Sequence, residues 1–160
     1  MTPLAAKNQT NIERKSDREI VATRTINGPP NLVFEAWTNP ELFQRWWVPK
    51  SAPIKLLSCK MDVRVGGQYR LEFGVGTQTM EFFGKYIEVT PSSRLVWTNE
   101  EGGEVNVTTV TFEERDGKTL LTMHDLYPSK EALDAAIESG STNCAEAFDQ
   151  LDELIEQSSR

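Results

Sequence analysis

The stretch VFEAWTNPELFQRWW, Val33 to Trp47, holds three of the chain's four tryptophans and two of its seven phenylalanines. Val33, Ala36 and Trp37 recur at i, i+3, i+4, the spacing of one face of a short helix. TNP then closes that helix and opens a second. Asn39 is placed to cap it, Pro40 suits its first position, and Glu41 sits at the positive end of its dipole. Leu42, Phe43, Trp46 and Trp47 give the second helix a broad apolar face, and Pro49 and Pro53 end it. So much aromatic surface has two uses: packing against a sheet, or walling a pocket.

The flanks supply the sheet. Upstream, REIVATRTI alternates Ile20, Ala22, Arg24 and Ile26 against Val21, Thr23 and Thr25, a strand stopped by NGPP. Downstream, IKLLSCKM and QYRLEF read as two strands joined through DVRVGG, with Tyr69, Leu71 and Phe73 on one face of the second. TMEFFGKYIEVT is a fourth strand, in which Gly84 marks a bulge or a close backbone approach. RLVWTNE is a fifth. VNVTTVTFEE changes phase, Val105 and Val107 on one parity and Val110 and Phe112 on the other. Either both faces are partly buried or a bulge lies near Thr108 and Thr109. Asp116-Gly117 is a strong hairpin signal before the last strand, TLLTMHDLY. After Pro128 the pattern turns helical, with Ser129 as cap and Leu133, Ala136 and Ile137 on one side. Beyond Gly140, the residues Cys144, Ala147, Phe148, Leu151, Leu154 and Ile155 form an apolar stripe at helical spacing. The expected order is strand, two short helices, six strands with tight connections, and a long final helix that covers the curved sheet.

A chain of 160 residues with 38% hydrophobic and 26% charged side chains fits one soluble globular domain. Residues 1–17 are polar and aperiodic and read as a flexible arm; residues 18–157 form the domain. A formal charge of −7 argues against nucleic-acid binding, which needs clustered Lys and Arg. No apolar run approaches the roughly 20 residues of a membrane span. With no secretory signal pattern, a cytoplasmic location is expected. Cys59 and Cys144 form no CxxC pair, and with one histidine no zinc arrangement is in view; no metal and no cofactor are predicted.

The order of elements, together with VFEAWTNPELFQRWW, DVRVGGQYRLEF, GKYIEVTPSSRLVWT, VTFEERDGKTLLTM and AFDQLDEL, resembles the START/Bet v 1-like helix-grip superfamily. Within it, the chain is similar to the family named after the C-terminal domain of the activator of the Hsp90 ATPase, from about Arg18 to Ile155. The resemblance implies an α+β fold, a curved seven-stranded antiparallel sheet wrapped around the C-terminal helix, with a hydrophobic cavity between them. Relatives bind lipids, hormones or polyketide-like molecules, and some superfamily members catalyse cyclisation or hydrolysis. The eukaryotic activator carries a further N-terminal domain that contributes to chaperone binding. Only about seventeen residues precede the first strand here, so that domain is expected to be missing. Many relatives start the last helix with Gly-Trp where this chain has Asn143-Cys144, a change that enlarges or reshapes the space between helix and sheet.

On this reading the candidate cavity wall is Phe43, Trp47, Tyr69, Leu71, Phe73, Phe82, Trp97, Met123, Cys144 and Phe148. Trp37 and Trp46 are read as core; for Phe43 and Trp47, pocket wall and plain packing stay equally open. The parity that faces inward is undecided for Phe82 and Trp97. His124, followed by Asp125 and Tyr127, is the one histidine that could act as a general base. Neighbouring strand residues point to opposite faces, however, so His124 and Asp125 are not expected to pair, and a structural or surface histidine is favoured. Glu72, Glu81, Glu88 and Glu104 read as a solvated strand face, and Asp62 and Arg64 as a turn-closing pair. The leading expectation is a binding module, monomeric or homodimeric, for a small apolar or amphipathic molecule. The alternatives are a protein-interaction domain with a chaperone partner, and a cavity enzyme with an inward ionisable residue of displaced pKa.

Overall fold

The computed structural model describes residues 9–101 and 103–158. The elements follow in the order β1 (Asn11–Arg14), β2 (Glu19–Ile26), α1 (Pro30–Thr38), α2 (Pro40–Trp46), β3 (Lys55–Met61) and β4 (Gln68–Val75). Then come β5 (Gln78–Thr90), β6 (Arg94–Asn99), β7 (Asn106–Arg115), β8 (Lys118–Leu126), α3 (Lys130–Ser139) and α4 (Ala145–Ser158). All strands lie in one antiparallel sheet of order β1-β2-β8-β7-β6-β5-β4-β3. The last strand therefore returns to pair with β2, Glu19 opposite Leu126 and Ile26 opposite Thr119.

The sheet has eight strands rather than seven. The extra strand is β1, inside the stretch read as a flexible arm, and it pairs with β2 from Asn11↔Thr23 to Arg14↔Ile20. A four-residue strand with a single apolar side chain, Ile12, carries no periodicity to read; it forms because the edge of β2 offers unpaired backbone groups. The expectation for residues 1–8 lies outside the described residues.

Local chemistry explains most boundaries. Pro29 and Pro30 open α1, and the Asn39 side chain accepts the Glu41 amide at 3.0 Å at the start of α2. Ser129 caps α3 by accepting the Ala132 amide at 3.1 Å. Asp116 and Gly117 take φ values of 55° and 82°, the left-handed pair that a tight hairpin between β7 and β8 requires. In β7 there is no bulge: its register with both neighbours runs without a shift. Thr108, Val110 and Phe112 face inward and are buried, and Val105 is half exposed.

The core lies between the sheet and α4, whose buried side chains include Phe148, Leu151, Leu154 and Ile155. Trp37 is the hub of the aromatic cluster, with ring centroids 4.7 Å from Trp46, 5.7 Å from Trp97 and 6.2 Å from Phe148. Two polar clamps fix α4. Arg24, buried at the inward parity of β2, donates to Asp149 and, at 3.1 Å, to Asp152, while Asp152 also accepts the Asn27 amide at 3.0 Å. Gln150 donates to the carbonyls of Trp46 and Val48 at 3.0 and 2.9 Å and accepts the Lys50 amide at 2.8 Å. Glu146 accepts from the Ser51 amide at 3.0 Å and from its hydroxyl. The loop after α2 is thus stapled to α4. Among the described residues, no helix is long and apolar enough to cross a membrane.

Candidate functional site

A pocket of about 700 Å³ opens between the inner face of the sheet, the loop after α2, the end of α3 and the start of α4. Phe43 and Trp47, stacked at 4.7 Å, line it from α2 and its end, and Pro49, Ala52 and Ile54 continue the wall through the stapled loop. Tyr69 and Leu71 on β4, Phe82 on β5, Trp97 on β6 and Met123 on β8 line it from the sheet. Cys144, just before α4, and Phe148 on α4 line it from the helix side. Phe73 is the exception among the anticipated wall residues. It is buried but lies outside the lining, packed edge-on against Phe82 with centroids 5.2 Å apart, so it backs the wall instead of forming it. Trp37, read as core, reaches the lining as well, whereas Trp46 stays wholly inside and donates its indole N–H to the Ala36 carbonyl at 2.9 Å.

His124 does not face the pocket. It stands at the opposite parity to Met123, and its Nε2 lies 2.9 Å from Glu19 Oε2 on the outer face. The inward ionisable residue of β8 is Asp125, two residues on from Met123. Alternation from Met123 alone places Asp125 on the same face, so the signal was present. It was obscured because a carboxylate at an inward position reads as solvent-facing.

Asp125 belongs to a cross-strand row in which Tyr86 stands opposite Trp97, Trp97 opposite Thr108, Thr108 opposite Asp125, and Asp125 opposite Ile20. Hydrogen bonds run through this region in one sense. Tyr69 donates its hydroxyl to the Thr98 carbonyl at 2.8 Å and to Asn99 Oδ1 at 2.9 Å, and the Trp97 indole donates to the same Asn99 oxygen at 3.3 Å. Asn99 Nδ2 donates to Thr108 Oγ1 at 2.9 Å, and Thr108 in turn donates to Asp125 Oδ1. The Tyr69 contact depends on Gly84: a Cβ there would stand 1.8 Å from the Thr98 carbonyl oxygen and 3.0 Å from Tyr69 Cε1. Gly84 is the close approach, and the register shift of β5 falls further on, between Tyr86 and Glu88.

Burial sets the protonation of these groups. Removal from water pushes the Asp125 carboxyl up to about 6, against the smaller opposing pulls of the Thr108 hydroxyl and nearby His124. Burial likewise raises Glu101, also in the lining, and pushes Tyr127 up to about 12. Tyr69 and Tyr86 are held well above the ordinary phenol range for the same reason. Both cysteines are free, and burial pushes the Cys144 thiol up to about 12, away from the thiolate form a nucleophile needs. The arrangement is an aromatic and aliphatic slot with hydrogen-bonding groups gathered along one side.

The long α4 gripped by a single curved antiparallel sheet, with the α1–α2 pair closing one end, defines a helix-grip domain of the α+β class. The chain belongs to the family described as Activator of Hsp90 ATPase homolog 1-like protein, whose model matches residues 27–156. Solved structures share the fold. A protein from Nitrosomonas europaea is 24% identical with a TM-score of 0.82, covering 91% of this chain and 99% of its own. One from Rhodobacter sphaeroides is 23% identical with a TM-score of 0.84, covering 93% of this chain and 99% of its own. One from Staphylococcus epidermidis is 26% identical with a TM-score of 0.77, covering 92% of this chain and 94% of its own. No curated protein matches the chain.

Proposed function

We propose that this protein is a cytoplasmic binding module for a small hydrophobic or amphipathic molecule, held in the pocket between the sheet and α4. The pocket carries the reading. Its volume of about 700 Å³ lies within the range of small-molecule sites, and its walls combine aromatic and aliphatic surface with polar groups gathered along one side. The polar turn Ser139–Asn143 rims it where α3 passes into α4. Two free thiols suit a reducing compartment. Native mass spectrometry of freshly purified protein, followed by organic extraction, tests the reading. A stoichiometric small molecule is the expected result. An empty protein whose tryptophan fluorescence also ignores titrated apolar probes overturns it and shifts the weight to a protein-interaction role with a chaperone partner.

A second reading, a cavity enzyme, is favoured by one observation: an inward carboxyl, Asp125, with a pKa near the operating range of a general acid or base. It predicts that Asp125→Asn abolishes turnover of a bound substrate while leaving its binding intact. A bound molecule recovered chemically unchanged after long incubation with the protein argues against it.

A further inference from the structure

The pocket's charge is one-sided. Two carboxylates, Asp125 and Glu101, stand in its lining, and among the described residues no Lys, Arg or His does. A chain of hydrogen bonds on the sheet side runs toward Asp125. Tyr69, which also donates to the Thr98 carbonyl, and Trp97 donate to Asn99, Asn99 donates to Thr108, and Thr108 donates to Asp125 Oδ1. Among the described residues none donates to Asp125 Oδ2. The hydrogen-bonded row therefore ends in an acceptor beside the aromatic wall, and among the described residues the lining supplies no basic side chain opposite it. A carboxylate partly withdrawn from water and without a countercharge in its pocket is costly, and an occupant that brings the countercharge relieves that cost. Trp97, two strands along the row from Asp125, also lines the pocket, and tryptophan is the side chain that attracts a cation best.

We propose that the pocket selects amphipathic molecules carrying a protonated amine, with the ammonium group at Asp125 and the apolar body between the sheet and α4, and that it disfavours carboxylates of the same shape. This rests on the binding reading above and adds to it the charge of the occupant. Fatty acids and other anionic amphiphiles would meet two carboxylates and no basic side chain in the lining.

A matched series of naphthalene probes separates this proposal from the reading beneath it: 2-(1-naphthyl)ethylamine, 2-(1-naphthyl)ethanol and 1-naphthylacetate, titrated at pH 8 by calorimetry. The expected order of affinity is amine, alcohol, carboxylate, with the amine at least about tenfold tighter than the carboxylate, a factor worth about 1.4 kcal/mol. In Asp125→Asn the amine's advantage over the alcohol should fall to within about threefold. Near-UV circular dichroism checks that the variant is folded, and Glu101→Gln serves as a second variant if it is not. Three probes binding equally, or the carboxylate binding best, overturns the charge selection and leaves the binding reading standing. No binding by any of them below about 1 mM overturns both.

Discussion

The Asp125 carboxyl provides a sharp quantitative test, because burial makes its charge a stability term. Its folded-state pKa of about 6 lies above the 3.8 of an ordinary aspartate. The folded protein thus holds this proton more tightly than the unfolded chain, and the group's contribution to stability declines as pH rises toward 6 and stays low above it. Between pH 8 and pH 5 the carboxyl gains about one unit's worth of protonation free energy in the fold, on the order of 1 kcal/mol. Replacing it by the near-isosteric amide removes that dependence, and the amide oxygen can still accept the Thr108 hydroxyl. The other groups that interact with Asp125 are Thr108, His124, Tyr127 and Cys144, and all are present in both proteins. Urea unfolding of wild type and Asp125→Asn at pH 5, 6, 7 and 8 measures the difference. The variant should gain on the wild type by roughly 1 kcal/mol as pH rises from 5 to 8, with equal m-values. Stability curves that run parallel across that range would show that the carboxyl is solvated in the folded protein, and would refute the reasoning.

Three further outcomes follow from the same geometry. Asp152→Ala strips the buried Arg24 guanidinium of its enclosed partner and should cost about 3–5 kcal/mol in chemical unfolding, whereas Asp149→Ala, whose side chain is 44% exposed, should cost about 1 kcal/mol. The reverse order would contradict the clamp. Gln150→Leu leaves the Trp46 and Val48 carbonyls and the Lys50 amide without their side-chain partner; a loss of roughly 2–3 kcal/mol and faster hydrogen exchange at the Lys50 amide are expected. Unchanged exchange there would mean the loop is not held by Gln150. Gly84→Ala must push β5 from β6, because its Cβ would fall 1.8 Å from the Thr98 carbonyl oxygen. A cost of roughly 1–3 kcal/mol is expected, or a fall in Tm of several degrees in a thermal melt; a melt indistinguishable from wild type would show that the strands are not so closely joined.

Much of the wall was legible because alternation and helical spacing are local. Tyr69, Leu71 and Met123 follow from strand parity, and Cys144 and Phe148 from the apolar stripe that runs from just before α4 along the helix. The polar half was not. Thr108, Asn99 and Asp125 were not anticipated as wall, since a hydropathy pattern cannot tell a polar side chain facing water from one satisfied by partners on neighbouring strands. The phase change in β7 has the same origin. Thr108 occupies an inward position that an apolar residue would normally take, because Asn99 and Asp125 flank it across the sheet. Phe73 shows the opposite limit. Its parity places it inward, but whether an inward ring fronts a pocket or backs another ring depends on Phe82 across the strand pair.

By itself the sequence determined the order of the elements from β2 to α4, their caps and turns, and the apolar faces that drive sheet and helix together. These depend on residues within a few positions of one another. Only the tertiary structure decided that β1 completes the sheet's edge and that Arg24 is buried against α4. It also decided that Asp125 joins a hydrogen-bonded row with Thr108 and Asn99. Each of those depends on partners on other strands or helices, or on backbone groups that no side-chain pattern records.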